Sequence, residues 1–150
     1  MGRVFFNTYK RIQNVTADYT VDVQQSGTTF IVLPAADTDI TLQTPGSGTA
    51  NAGEGWNCII ILQSDSGFGG DEEMDFKVNV DLGADTNNVG QIHGHDTATS
   101  DQAVDGDDFI NCTAAASPGD TIEFLSDGTR WFVMGYVFDA SECPFGTATA

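Results

Sequence analysis

The chain has 150 residues, enough for one domain with its own core and too few for two of ordinary size. Hydrophobic residues at 40% exclude a disordered chain, 17 glycines point to many tight turns, and no apolar repeat at helical spacing supports a helical fold. A formal charge of −17 argues against nucleic acid and anionic membranes as partners, because such a body repels both.

The N-terminus departs from that acidity. Arg3, Lys10 and Arg11 lie in the first 17 residues with no acid among them, so this segment carries +3 and the remainder −20. "MGRVFFNTYKRIQ" reads either as a first strand laid on the acidic body or as an arm that reaches a neighbouring protein. We assign residues 1–15 to an arm, with Arg3, Phe5, Phe6, Tyr9, Lys10 and Arg11 as its docking residues: apolar anchors between clustered cations suit a binding segment. Residues 16–140 then form the β domain and 141–150 a tail without structure. No apolar run has the length of a membrane span and Met1 opens no cleavable leader, so a soluble chain made in the cytoplasm is expected.

Along the domain, Tyr19, Val21 and Val23 alternate with Thr20, Asp22 and Gln24, a strand that ends at Ser26-Gly27. Thr28 to Leu33 and Ile40 to Gln43 are two more strands, each closed by a nearby proline. After the loop "TPGSGTANAGEG", "WNCIIILQ" is apolar throughout and predicts a strand buried on both faces. "MDFKVNVDL" alternates cleanly as a half-buried strand, residues 83–107 read as a long surface excursion, and Asp108 to Thr113 resumes the strand pattern. The expected fold is all-β: an antiparallel sandwich or jelly roll of eight or nine short strands.

The last hairpin, "TIEFLSDGTRWFVMGYVF", raises a question of its own. A two-residue turn at Asp127-Gly128 would set Ser126 against Thr129, Phe124 against Trp131 and Ile122 against Val133, all facing a core. The opposite side carries Glu123, Leu125, Arg130, Phe132, Met134, Tyr136 and Phe138, with Glu123 and Arg130 as diagonal neighbours and no other charge. A strand facing water does not look like this. Either a second layer of the same chain covers Phe132, Met134, Tyr136 and Phe138, or they form a subunit interface.

Motifs for catalysis are lacking. Gly46, Gly48, Gly53 and Gly55 fit no phosphate-binding loop, and Asp101, Asp105 and Gly106 fail as a calcium loop because Ala103 and Cys112 occupy ligand positions. Asp71, Glu72, Glu73 and Asp75 read as a solvated acidic loop, although their density would allow a calcium ion in another geometry. Cys58, Cys112 and Cys143 form no metal or disulfide pattern; the first two read as reduced strand residues. His93 and His95 are two apart, so both rings could face one point, and three chains about a three-fold axis would supply six nitrogens to a transition metal. Two exposed loop histidines are the simpler reading, and we assign no catalytic residue, cofactor or metal.

"TADYTVDVQQSGTTFIVLPAADTDITLQTP", followed at the far end by "GDTIEFLSDGTRWFVMG", resembles β-rich virion proteins of tailed bacteriophages, the head decoration proteins and tail-fibre domains. The shared style is a strand, a Ser-Gly turn, a second strand ending near proline, a glycine-rich loop and a terminal Asp-Gly, Trp hairpin. It spans most of the chain after residue 16, although Leu42 to Pro45 departs from the usual Leu-Pro ending. The resemblance implies a non-enzymatic structural role, usually as a trimer. The expectation is a capsid decoration or cement protein bound to the major capsid protein on the head surface. A tail-fibre or receptor-binding module, using the 83–107 excursion, is the alternative.

Overall fold

The first six strands are laid down alternately in two sheets. Arg11–Val15 (β1), Thr28–Val32 (β3) and Asn57–Leu62 (β5) enter one sheet, while Tyr19–Thr20 (β2), Thr38–Thr41 (β4) and Phe76–Asn79 (β6) enter the other. Within each sheet these neighbours pair in parallel. Parallel neighbours need a crossover that brings the chain back to its starting end, a task commonly given to a helix. Here the crossover runs through the opposite sheet.

The computed structural model describes residues 11–33, 38–63, 76–79, 89–94, 102–105, 109–112, 117–138 and 145–146. The remaining strands are Val89–Gly94 (β7), Gln102–Asp105 (β8), Phe109–Cys112 (β9), Thr121–Ser126 (β10), Trp131–Val137 (β11) and Phe145–Gly146 (β12). One sheet has seven strands in the order β1-β3-β5-β10-β11-β7-β8, and the other has five in the order β12-β9-β6-β4-β2. The described residues contain no α-helix.

The fold is therefore β-rich, as expected, but mixed rather than antiparallel. Among the described residues five pairings are parallel and five antiparallel. Twelve strands lie in the described residues rather than eight or nine. Two of the added strands come from the 83–107 excursion: β7 runs parallel to β11 and carries β8 on its other side. Phe145–Gly146, placed by sequence in an unstructured tail, pairs with β9. Arg11–Val15, assigned to the arm, is instead the edge strand beside β3. The strand expected from Tyr19 to Gln24 stops after Thr20, because the Asp22 carboxylate accepts the Gln24 N–H at 2.7 Å and caps the 3-10 turn Val23–Gln25.

The buried residues of both sheets join in one cluster. Phe30, Val32, Ile60, Phe124, Trp131 and Val133 from the larger sheet meet Val21, Ile40, Leu42 and Ile110 from the smaller sheet and its flanks. Trp131 is fully buried, edge-on to Trp56 at 5.4 Å and to Phe124 at 6.2 Å between centroids. Edge-to-face contacts of this kind add roughly 0.5–1.5 kcal/mol each beyond area burial. The Trp56 indole N–H donates to the Val23 carbonyl at 2.7 Å, so this ring is fixed as well.

The hairpin forms where predicted but with a longer loop. Asp127 accepts the backbone N–H groups of both Thr129 and Arg130, at 2.8 and 2.9 Å, which holds residues 127–130 out of the ladder. The pairs are accordingly Ser126 with Trp131, Phe124 with Val133 and Ile122 with Gly135, two residues from the expected register. The Arg130 and then the Thr129 N–H also hold the Asp127 carboxyl below the usual carboxylate range. Gly128 has φ 84°, and a Cβ there would come within 3.3 Å of the Glu54 backbone nitrogen, so the tip needs glycine for both conformation and space. At the other end, Asp120 is buried and accepts from the Ser117 and Phe138 N–H groups at 2.9 and 2.8 Å, which ties the exit of β11 to the turn before β10.

Candidate functional site

Strict alternation in β10 and β11 sends Ile122, Phe124, Ser126, Trp131, Val133 and Val137 into the core and Glu123, Leu125, Phe132, Met134 and Tyr136 outward. Leu125 is 45% exposed, Phe132 41%, Met134 47%, Tyr136 60% and Phe138 55%, values far from those of a covered second layer. Phe132, Met134, Tyr136 and Phe138, singled out from the sequence, thus sit together on one open face. The slip in register does not disturb this, because a shift of two residues preserves which side each residue faces.

The same face continues across the sheet. Met134 pairs with Glu123, Glu123 with Ile59, Ile59 with Thr29 and Thr29 with Ile12. A second row runs from Tyr136 through Thr121, Ile61 and Ile31 to Asn14. Ile31, Ile59 and Ile61 are half-buried, Thr29 between them and Ile12 is buried, and Ile12 is exposed, so β5 is not buried on both faces as its apolar run suggested. On the outer positions of β1, β3, β5, β10 and β11 the sole charged residue is Glu123.

Polar groups at the margins pack against the rings. The Arg130 guanidinium carbon lies 5.8 Å from the Phe132 centroid, and Arg130 Nε is 3.4 Å from Asp127 Oδ2. Arg130 therefore belongs to the loop and to Phe132, where sequence had placed it diagonally from Glu123. His93 on β7 pairs with Tyr136 and stacks on it, with centroids 6.0 Å apart and planes 29° apart. The Tyr136 hydroxyl donates to Met134 Sδ at 3.2 Å. Histidine at this place was expected in a loop; the signal missed was that a Gly- and Asn-rich segment can still be an inner strand when its neighbours supply the packing.

No family model, curated protein or solved structure matches this chain. Arg11 is exposed at the start of β1, where its Nη1 donates to the Gln24 carbonyl at 3.1 Å. Arg3, Phe5, Phe6, Tyr9 and Lys10 lie outside the described residues, as do His95, Asp71, Glu72, Glu73 and Asp75. Among the described residues, no three His, Cys, Asp or Glu side chains come together as metal ligands, and no helix is long and apolar enough to cross a membrane.

Cys58 is a free, buried thiol on the inner side of β5, opposite Phe124. Burial pushes its pKa far above the ordinary thiol range, and the negative Glu123 adds to the effect. Since the thiolate is the reactive form, Cys58 is inert as a nucleophile in the folded protein. Native-state treatment with iodoacetamide followed by mass mapping is expected to leave Cys58 unmodified, with labelling only after denaturant is added. Rapid native labelling would mean that β5 is open to solvent.

Proposed function

We propose that the chain is a two-sheet β-sandwich acting as a non-enzymatic virion structural protein, a decoration or cement protein on the head of a tailed bacteriophage. The observation that carries this reading is the exposed apolar row on the seven-stranded sheet formed by Leu125, Phe132, Met134, Tyr136 and Phe138. Large contiguous apolar patches mark protein contacts. Identical subunits associate through this face as a trimer, and the basic, aromatic N-terminal segment, Arg3, Phe5, Phe6, Tyr9 and Lys10 with Arg11 at its base, binds the major capsid protein. Acidic bodies carrying −17 stay apart in solution except where apolar contact outweighs repulsion, which confines association to this face. The receptor-binding alternative loses much of its contact loop, since residues 89–94 and 102–105 are strands of the sheet.

Co-sedimentation of the purified protein with emptied phage heads tests the reading directly. The protein is expected to pellet with the heads to a saturating level, and light scattering of the free protein at high concentration to give three times 15.9 kDa. Heads that retain none of it would rule out decoration. A single-chain mass at every concentration would rule out the face as a subunit contact.

A further inference from the structure

A carboxylate stands among the exposed apolar side chains. Glu123 is exposed on β10 directly opposite Met134, with Leu125 two residues along its own strand and Phe132 and Tyr136 as diagonal neighbours, roughly 7–8 Å away across the ladder. Any surface that covers these residues also covers the carboxylate. On the β5 side its neighbour is Ile59, apolar and half-buried. Among the described residues Glu123 has no hydrogen-bond or ion-pair partner, and the two described arginines are held elsewhere: Arg130 by Asp127 and the Phe132 ring, Arg11 by the Gln24 carbonyl. The ionisable groups on the flanking strands are Tyr136 on β11 and, on the inner side of β5, the buried Cys58. Neither brings a positive charge. His93 on β7 lies beyond Tyr136, against the far side of which it stacks.

An unpaired carboxylate enters a closed contact only at a large cost, and the usual escape is to take up a proton and enter neutral. We propose that Glu123 places association through this row under the control of pH: each subunit that docks through the row binds a proton at Glu123, so the contact tightens as pH falls. The inference rests on the reading of the row as a subunit contact and gives that contact its regulation. The sign follows from linkage. Because the associated form binds more protons than the free subunit, acid favours it, by up to about tenfold per pH unit for each Glu123 that is covered. The trimer still forms at neutral pH, at high protein concentration. A second copy that set a cation on Glu123 would act in the opposite sense, since protonation would then remove one member of an ion pair and loosen the contact.

Sedimentation over a range of concentrations compares the unmodified protein with Glu123→Gln and Asp39→Asn at about pH 7.5 and about pH 5.5, both above the isoelectric point near 4.1, with circular dichroism to confirm the fold. Glutamine keeps the shape of the side chain and has no proton to take up. Asp39, exposed on β4 of the other sheet, controls for the loss of one negative charge. His93 and the other carboxylates are common to the three proteins, so their titration cancels in the comparison. Glu123→Gln is expected to associate about 100-fold more tightly than the unmodified protein at the upper pH, and the unmodified protein and Asp39→Asn to recover about 100-fold per contact relative to it at the lower pH. Parallel pH dependence of the unmodified protein and Glu123→Gln would overturn the proposal and leave the contact standing. Weaker association of Glu123→Gln at the upper pH would reveal a paired carboxylate and overturn it equally. A single-chain mass for all three at every pH and concentration would refute the subunit contact itself, and the proposal with it.

Discussion

Replacing Trp131 by alanine lowers the stability of the fold by about 3–5 kcal/mol, the range for removing a large aromatic side chain from a packed core. The ring has no solvent exposure and stands edge-on to both Trp56 and Phe124, so its loss leaves two further rings without a neighbour. Backbone collapse cannot fill the space cheaply. Trp131 pairs with Ser126, whose hydroxyl donates to the Ala52 carbonyl at 2.8 Å and whose backbone N–H donates to the Trp56 carbonyl, so both walls of the site are held by hydrogen bonds. For a chain of this size the melting temperature falls by roughly 6–20 °C. The measurement compares urea midpoints at one low protein concentration, because association would add its own stabilisation. A loss below about 1 kcal/mol would mean that the hairpin tip is not packed as described.

This hairpin shows how far sequence reached. Its existence and its two faces were legible because alternation and the Asp-Gly pair are local signals. Its register was not, since the two hydrogen bonds to the Asp127 carboxylate lengthen the loop and compete with the two-residue turn. The mixed pairing was also hidden. Nothing local in "RIQNV" or "VGQIHG" distinguishes a parallel from an antiparallel neighbour, and both strands are placed by partners distant in sequence, β3 for the first and β11 for the second.

The face was legible on one strand and misread on another. β11 lacked the charges that an outward side should carry, which raised the question of what covers it. β5 presented the same signal as a continuous apolar run, but such a run does not reveal whether its second side meets a core or lies open. The structure answers through the half-exposure of Ile59 and Ile61, which extend the face of Phe132 and Met134 toward the sheet edge. Ile12 escaped notice because it was read as part of an arm, although in β1 it stands on the same outer row.

Met134→Asp is expected to dissociate the subunits while leaving each one folded. The side chain is 47% exposed in the single chain, so the fold loses little packing, and the new carboxylate faces Glu123 directly across the strands. Like charges in that position, with the poor strand preference of Asp, cost about 1–2 kcal/mol of stability. Within a closed contact the same group would be an unpaired charge taken out of water, at about 3–5 kcal/mol. Association should therefore weaken by roughly 100- to 4,000-fold at each contact, since every 1.4 kcal/mol is a factor of ten. Sedimentation of the variant beside the unmodified protein, with circular dichroism to confirm the fold, reads both effects. Met134→Leu, which keeps the apolar volume, should associate normally. If the aspartate variant keeps the oligomer intact, the contact lies elsewhere on the body and the exposed row from Phe132 to Phe138 is not the subunit contact.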